Sequence, residues 1–398
     1  MQTNKIALYF LIVLCHCQLS CARKNADSIS QTDRAISTLS AVYSYYPVSG
    51  SDLLREMYPF DETYTATYLD NSEQASHPNP YSYLWPFSGS LSAVSALYEA
   101  SKDAQYLEIL QTKVLPGLEE YWDTTRIPAG YASYIRTAPT SDRFYDDNIW
   151  IGIDFTDLYL LTGEKNYLQK ARSIWQFVES GSDDALGGGI YWCEQKKRGK
   201  NACSNAPAAV YALKLFEATN DSSFFYKGKK LYEWTEQHLK DTVDNLYYDN
   251  LKLNGKVDMK KYSYNSGQMI QAGALLYKIT RHENYLLEAQ QTALSCYHHF
   301  FRDFKPLEGG TSFRLVKKEN VWFIAILFRG FCELYRVDNY KEYLDAFQKN
   351  MDYAWIHARE ENGLFNSDWS GDSKDASKWL LTQTAMVEMY ARLSIENE

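Results

Sequence analysis

The stretch ALYEASKDAQYL, residues 96–107, contains the end of one apolar run, a short polar turn and the start of the next run. Stretches of the same length and pattern occupy residues 157–168, 214–225, 275–286 and 333–344. Each has an aromatic residue in third position, and a last unpaired copy ends at another: Tyr98, Tyr159, Phe216, Tyr277, Tyr335 and Tyr390. The successive separations are 61, 57, 61, 58 and 55 residues, so the chain is built from one repeated unit.

A unit of roughly 58 residues is the size of a helical hairpin with one short and one long connection. Within one unit, apolar residues return at three- and four-residue spacing, as in an α-helix: Ile149, Trp150, Ile153, Leu158 and Leu161. Six such helices, each preceded by an outer partner, make twelve, with the first outer helix around residues 35–46. The sequence therefore predicts an all-α fold, a single (α/α)6 toroid over residues 31–398.

The N-terminal segment has the pattern of a targeting signal. Lys5 precedes an apolar run over residues 6–14, too short to span a bilayer, for which about 20 residues are needed. Ser20-Cys21 then resembles a bacterial lipoprotein cleavage site, and a plain secretion signal is the alternative. We interpret residues 1–21 as a signal peptide, Cys21 as the lipidation site and residues 22–30 as a tether.

Composition and motifs exclude several functions. A net charge of −9 disfavours nucleic acid as a partner, because phosphate backbones would be repelled. The seven histidines show no zinc-binding spacing, and there is no nucleophile-elbow serine or phosphate-binding glycine loop, so we expect no metal and no cofactor. We expect a monomer. The 33 tyrosines and 10 tryptophans suit stacking against sugar rings. Whether Cys193 and Cys203 form a disulfide stays open.

Closure of the ring would bring the N-termini of all six inner helices to one face. The residues at or before these helix starts, and in the loops between them, should line a single cleft. Our candidates for substrate binding there are Trp85, Tyr145, Asn148, Trp192, Asn205, Tyr264, Asn265 and Trp369. Capping of a helix is the alternative role for each asparagine.

Asp146-Asp147 is the sharpest catalytic candidate. Hydrolysis of a glycosidic bond needs one protonated and one ionised carboxyl group, and burial with mutual repulsion would separate two adjacent pKa values in that way. The bracketing aromatic residues argue against full solvation, whereas a helix cap is the non-catalytic alternative. Asp183-Asp184, in a glycine-rich stretch, fits a solvated turn and serves as a comparison.

These motifs resemble glycoside hydrolase family 76, the endo-α-1,6-mannanases of bacteria and fungi. The resemblance is carried by YDDNIW at 145–150 and GGGIYW at 187–192, with Asn201, the YNSG at 264–267 and Asp368-Trp369 in support. It implies an (α/α)6 fold and a retaining mechanism on the α-1,6-linked mannose backbone. Asp146 would then be the nucleophile and Asp147 the acid/base. Asn148, Trp192, Asn205 and Tyr264 would belong to the sugar cleft.

The resemblance also implies a location. A lipid anchor on a mannan-degrading enzyme resembles the glycan-scavenging lipoproteins of Bacteroidetes, in the envelope of a Gram-negative bacterium. Because no acidic run follows Cys21, the periplasmic side is slightly favoured over the cell surface. The chain departs from the family at 322–324, where Trp-Phe-Ile replaces an expected Phe-Lys-Gly-like start, so distal sugar subsites are in doubt.

Two other functions stay open. One keeps the toroid and changes the chemistry, as in unsaturated-glucuronyl hydrolases or sugar epimerases, which would use a single aspartate with a histidine in the cleft. The other is a non-catalytic glycan-binding lipoprotein, which would need no aspartate pair. Endo or exo action, minimum substrate length and branch tolerance are not fixed by the sequence.

Overall fold

The computed structural model describes residues 29–66, 68, 78–306 and 309–397. Cys21, the signal peptide at 1–21 and most of the tether at 22–30 lie outside these residues. The helices, in chain order, are α1 Gln31–Tyr45, α2 Leu84–Ser101, α3 Ala104–Ile109 continuing through the π turn Leu110–Val114 to Leu115–Glu119, α4 Tyr145–Thr162, α5 Lys165–Ser180, α6 Ala202–Thr219, α7 Ser222–Leu239, α8 Ser263–Thr280, α9 Glu283–Phe300, α10 Val321–Asp338, α11 Glu342–His357 and α12 Leu380–Asn397.

The even-numbered helices form a closed inner ring. Each packs against the next, from α2 to α4, α6, α8, α10 and α12, and α12 packs back onto α2. The odd-numbered helices lie outside and bury one face; in α5, for example, the buried residues recur at helical spacing from Tyr167 to Val178. The (α/α)6 toroid is thereby confirmed. The first outer helix begins four residues earlier than expected, because Ser30 caps it by accepting a hydrogen bond from Asp33 N at 3.0 Å.

The repeated stretch has a structural cause at its turn. Five inner helices end with a residue in the left-handed conformation, four positions after the repeated aromatic residue: Lys102, Gly163, Asn220, Arg281 and Asn339. In each case its N–H donates to the carbonyl of that aromatic residue at 2.7–2.9 Å. This C-cap stops the inner helix and reverses the chain into the outer one.

The long connections carry short strands that the all-α prediction did not include. They are β1 Met57–Tyr58, β2 Trp122–Asp123, β3 Gly130–Tyr131, β4 Gly199–Asn201, β5 Tyr248–Lys252, β6 Val257–Lys261, β7 Phe301–Phe304, β8 Phe313–Val316 and β9 Lys378–Trp379. All pairs are antiparallel: β2 with β3, β7 with β8, and β4–β5–β6 as a three-stranded sheet. The pairing of β1 with β9 joins the connections that precede the first and last inner helices.

A buried ionic cluster occupies the axis of the ring. Arg329 of α10 donates to both carboxylate oxygens of Glu388 of α12, at 2.5 and 2.9 Å, and lies 3.5 Å from Asp154 of α4. Ser92 of α2 donates to the other oxygen of Asp154 at 2.5 Å, and Arg392 donates to Glu388 at 2.7 Å. Four of the six inner helices are therefore connected through one set of charges.

The closest helix approach in the ring gives a first prediction. A Cβ atom on Gly330 of α10 would lie 2.3 Å from the backbone oxygen of Gly267 in α8. Backbone cannot move aside as a side chain can, so Gly330→Ala should lower the free energy of unfolding by about 1–3 kcal/mol. Urea denaturation measures it. The matched control is Gly273→Ala in α8, whose added methyl would meet its nearest atoms at 3.2 Å, and whose loss should be smaller. Equal losses would contradict the prediction.

Candidate active site

The N-terminal ends of the inner helices open onto a cleft of about 1050 Å³. Residues from all the long connections reach it. Its lining residues are Met57, Tyr64, Tyr68, Tyr83, Trp85, Ser133, Phe144, Asp146, Asp147, Trp150, Trp192, Lys196, Arg198, Gly199, Asn201, Cys203, Asp249, Asn250, Lys252, Tyr262, Tyr264, Asn320, Trp322, Phe323 and Trp379.

One helical position supplies the floor of this cleft. The second residue of each of five inner helices lines it: Trp85, Asp146, Cys203, Tyr264 and Trp322. Because each residue turns a helix by about 100°, neighbouring positions point elsewhere unless they reach around the helix, as Asp147 and Phe323 do. In α12 the second residue is the buried Leu381, and Trp379 of β9 takes the place in the cleft.

The structure places five of the eight predicted binding residues away from the cleft lining. Tyr145, the first residue of α4, is buried and stacks on Phe177 with ring centroids 4.8 Å apart. Asn148, at the fourth position of α4, is fully buried; its side chain accepts from Tyr131 N at 2.7 Å and donates to Tyr131 O at 2.9 Å. Tyr145 and Asn148 therefore hold the scaffold and do not line the cleft, where the sequence analysis expected them.

Asn205 is the third of these residues and repeats the arrangement of Asn148. It is the fourth residue of α6, accepts from Ile190 N at 2.7 Å and donates to Ile190 O at 2.9 Å. Its amide is thus fully used in fixing the preceding loop. Asn265 and Trp369 are also buried and do not line the cleft. The predicted residues that do line it are Trp85, Asp146, Asp147, Trp192 and Tyr264.

The two aspartates differ in their hydrogen bonds. Trp192 Nε1 donates to Asp146 Oδ2 at 3.0 Å. Burial raises the pKa of Asp146, and hydrogen bonds from Cys203 and Trp192 oppose that rise. Burial raises the pKa of Asp147 as well, and the neighbouring charge of Asp146 raises it further. Asp146 is therefore the group that ionises first, and Asp147 is the one that keeps its proton.

A glycine-rich loop holds Trp192 against Asp146. Gly189 has φ +81°, and a Cβ there would lie 2.8 Å from the Trp234 ring, so only glycine fits. The buried Lys200 Nζ donates to Gly188 O at 2.6 Å and to Asp183 Oδ1 at 2.8 Å. Asp183 thus fixes the loop through an ion pair outside the cleft. The loop and its lysine set the position of the indole, and through it the orientation of the carboxylate.

The cleft has two chemically different sides. One is an aromatic wall, which we define as Tyr64, Tyr68, Tyr83, Trp85, Trp322, Phe323 and Trp379. The other is polar and comes largely from β4, β5 and the loop before β4: Lys196, Arg198, Asn201, Asp249, Asn250 and Lys252. Burial raises the pKa of Asp249, to whose Oδ2 the Asn250 amide donates at 2.8 Å. Such a pair of sides suits a ligand with apolar faces and hydroxyl edges.

Several of these residues were missed in the sequence. Tyr64, Tyr68 and Asp249 lie in the long connections, where no periodicity identifies a residue that faces the cleft. Cys203 was considered only as half of a disulfide, but both it and Cys193 are free thiols, and Cys203 faces Asp146. Its place at the second position of α6 was the available signal.

The described residues lack two features that would indicate particular partners. Within residues 29–66, 68, 78–306 and 309–397, no group of three or more His, Cys, Asp or Glu side chains could hold a metal ion. In the same part of the chain, no helix has the length and apolar character needed to cross a membrane.

Comparison with known proteins identifies a consistent set of relatives. Residues 56–398 match the model of glycosyl hydrolase family 76. A family 76 mannosidase from Bacteroides thetaiotaomicron is 34% identical with a TM-score of 0.84, over 92% of this chain and 100% of that one. A family 76 glycoside hydrolase from a bovine strain of that species is 31% identical with a TM-score of 0.84, over 94% and 79%. Among curated protein sequences, none matches the chain.

A third similar structure is that of an α-1,6-mannanase from a Salegentibacter species, 24% identical with a TM-score of 0.74, over 92% of this chain and 100% of that one. Inactive variants of that enzyme, with two consecutive aspartates replaced, form complexes with α-1,6-mannotriose and α-1,6-mannotetrose.

The burial of the aspartate pair predicts a pH-dependent gain in stability when it is neutralised. A raised folded-state pKa contributes stability below the unfolded value, 3.8 for Asp147, and this is lost as the pH rises through the folded value. Asp147→Asn should therefore have a higher Tm than the wild type at about pH 8, with a difference that shrinks toward about pH 4. Thermal unfolding followed across this range measures it.

Asp183→Asn is the matched control with the opposite sign. Burial by itself would raise the pKa of Asp183, but the hydrogen bonds from Lys200 and Tyr191 and the charge of Lys200 together outweigh it and lower the pKa. A lowered folded-state pKa stabilises the fold above the unfolded value of 3.8, so Asp183→Asn should lower the Tm at about pH 8. A lower Tm for Asp147→Asn at that pH would contradict the raised pKa of the pair.

Proposed function

The chain belongs to glycosyl hydrolase family 76, and we propose that it hydrolyses the α-1,6-mannosidic bonds of mannan, or of manno-oligosaccharides, with retention of anomeric configuration. The observation that carries the proposal is the adjacent carboxyl pair in the cleft, of which only Asp146 accepts the indole hydrogen bond of Trp192. This asymmetry assigns two different protonation states to neighbouring groups, and the retaining mechanism needs both.

In the first step, the Asp146 carboxylate attacks the anomeric carbon of a bound mannose residue while Asp147 gives its proton to the departing glycosidic oxygen. The C–O bond to the leaving sugar breaks, and a glycosyl ester forms on Asp146. The negative charge of Asp146 disappears in this step, so the pKa of Asp147 falls after its proton has left. Asp147 is then prepared to act as a base.

In the second step, Asp147 removes a proton from a water molecule. The oxygen of that water attacks the anomeric carbon from the side that the leaving sugar vacated. The ester bond breaks, Asp146 is released as a carboxylate, and Asp147 regains its proton. Two inversions give net retention. Trp192 stabilises the carboxylate at both ends of this cycle, which makes Asp146 a better leaving group as well as an ionised nucleophile.

The choice of mannan rests on the relatives and on the two sides of the cleft. A Bacteroides relative at 34% identity is a mannosidase, and the Salegentibacter enzyme with the same fold is an α-1,6-mannanase. The aromatic wall offers stacking surfaces for sugar rings, and the polar side offers partners for their hydroxyls. A glucuronyl hydrolase that depends on a cleft histidine has less support, because none of the described residues lining the cleft is a histidine.

Product release from debranched α-1,6-mannan tests the proposal. The wild type should release reducing sugars, and Asp146→Asn and Asp147→Asn should each lower the rate by roughly a thousandfold or more, since the two groups act as a unit. Asp184→Asn, at an exposed aspartate of the other Asp-Asp pair and outside the cleft, is the control and should keep most activity.

Product sizes and anomers refine the result. NMR of the first products should show the α-anomer, and the size distribution decides between endo and exo action. If the wild type binds the polymer without releasing sugar, the glycan-binding alternative replaces the proposal. First products in the β-anomer would contradict retention.

We propose that the protein acts as a monomer anchored through Cys21, on the periplasmic side of the envelope of a Gram-negative bacterium. The support is the lipoprotein-like Ser20-Cys21 site and a cleft lined within a single chain. In a Bacteroides host, the full chain should fractionate with membranes and incorporate a labelled fatty acid, and Cys21→Ala should abolish the labelling. Cys17→Ala is the control and should retain it. Digestion by protease added to intact cells would contradict a periplasmic location.

A further inference from the structure

Glu56 is a buried carboxylate with an unusual set of partners. It is 2% exposed and accepts five hydrogen bonds. Its Oε1 accepts from the hydroxyl of Tyr64 at 2.7 Å, the hydroxyl of Tyr68 at 2.9 Å and Nε1 of Trp379 at 3.3 Å. Its Oε2 accepts from the backbone N–H of Tyr83 at 3.0 Å and Nδ2 of Asn79 at 3.3 Å. Tyr64, Tyr68, Tyr83 and Trp379 all belong to the aromatic wall.

We infer that Glu56 is a positioning residue that fixes the aromatic wall of the cleft and thereby sets the affinity for an extended sugar chain. The inference rests on the proposed function and names part of its substrate-binding surface. Glu56 does not line the cleft itself, so it acts through the side chains that it holds.

The donors to Glu56 are all neutral. Burial raises the pKa of Glu56, and the groups that oppose this rise are neutral hydrogen-bond donors rather than a lysine, arginine or histidine. Burying a carboxylate without a cation is unfavourable unless its oxygens are well supplied with donors. Five donors arranged around one carboxylate therefore place strong restrictions on the side chains that provide them.

Only a carboxylate fits this arrangement. Both oxygens receive at least two donors, so an amide in either orientation would place its NH2 group against a donor. Glutamine at this position would turn its NH2 group either toward the backbone N–H of Tyr83 or toward the indole N–H of Trp379, both of which can only donate; in the second case the two tyrosine hydroxyls would also have to rotate to accept. Glu56→Gln is therefore an isosteric change that breaks the wall's anchoring at one end.

The wall that Glu56 holds lies beside the acid/base residue. The Tyr68 ring packs edge-on to Trp85 at 5.4 Å and lies 5.7 Å from Trp379, between ring centroids. Burial raises the pKa of Tyr68, and the charges of Glu56, Tyr64 and Asp147 raise it further. Tyr68 and Asp147 line the same cleft, so this hydroxyl lies near the aspartate pair. A displacement of Tyr68 would alter the stacking surface next to the bond being cleaved without removing either aspartate.

Glu56 also connects the two ends of the ring through its backbone. Its carbonyl accepts from Leu380 N at 2.8 Å, beside the β1–β9 pair, in which Met57 is opposite Trp379. The side chain and backbone of one residue thus fix the connection before α2 to the start of α12. A merely structural role in ring closure would show as lost stability, whereas the positioning role predicts a change in substrate affinity.

The experiment compares wild type with Glu56→Gln on α-1,6-mannotetraose and on debranched mannan. KM should rise by about 10- to 100-fold and kcat should change by less than about threefold, because ground-state and transition-state stacking are lost together. Binding of mannotetraose to Asp147→Asn, measured by calorimetry with and without Glu56→Gln, should weaken by a similar factor. Glu62→Gln, at an exposed position six residues on, is the control and should match the wild type.

A second variant separates positioning from folding. Tyr68→Phe keeps the ring and removes the hydroxyl that Glu56 holds, so it should raise KM in the same direction. The double variant should be no worse than Glu56→Gln alone. If Glu56→Gln fails to fold, a Tyr64→Phe/Tyr68→Phe variant replaces it in the same measurements.

The outcomes are distinct. An unchanged KM in a folded Glu56→Gln or Tyr64→Phe/Tyr68→Phe variant, or a fall in kcat at constant KM, overturns the inference. A wild type that binds mannotetraose without cleaving it overturns the proposed function, and the calorimetric comparison still decides the role of Glu56. A wild type that neither binds nor cleaves these sugars overturns both.

Discussion

The ion cluster around Arg329 is the interaction on which the rest of the structure depends. A guanidinium that is 4% exposed at the axis of a helical ring is tolerated only because Glu388 and Asp154 are held against it from two other helices. Glu388 lies on the last helix and Asp154 on α4, so the charges are satisfied only when the ring is complete. Closure of the toroid and neutralisation of its centre are therefore the same event, and the cleft at one end of the ring exists only after it.

The aspartate pair at the mouth of the ring is held differently. Charges at the axis have partners of opposite sign, whereas Asp146 and Asp147 have each other, the Cys203 thiol and the Trp192 indole. Burial raises the pKa of both carboxyl groups, the charge of Asp146 raises that of Asp147 further, and the rest of the fold must offset the cost. The hydrogen bonds that distinguish the two carboxyl groups come from Cys203 and from the Trp192 indole, and the glycine-rich loop fixed by Lys200 positions that indole. The difference between the two carboxyl groups therefore depends partly on Lys200 and Asp183, which lie outside the cleft lining.

The sequence predicted the ring and the acids for physical reasons that are local. The repeated aromatic residues mark left-handed C-caps, which recur because each hairpin reverses in the same way. Asp146 and Asp147 were identified because their position at a helix start determines which end of the ring they face. Asn148 and Asn205 sit only one and two residues further along their helices than the cleft-lining positions, yet they bind loop backbone. A shift of one or two positions turns a side chain from the cleft toward the preceding loop. A sequence pattern that locates a helix start only to within a few residues cannot distinguish these positions.

The role of Glu56 could not be predicted from the sequence, because none of its five donors is close to it in the same helix or strand. Its nearest side-chain partner in sequence is Tyr64, and Trp379 is 323 residues away. The aromatic wall is thus built from the connections before the first and last inner helices, the two parts of the chain that meet only on closure. A partly closed ring would lack the Trp379 surface and the Leu380 hydrogen bond to Glu56, while Asp146 and Trp192 could already be in place. The fold therefore couples the aromatic wall, more tightly than the aspartate pair, to completion of the toroid.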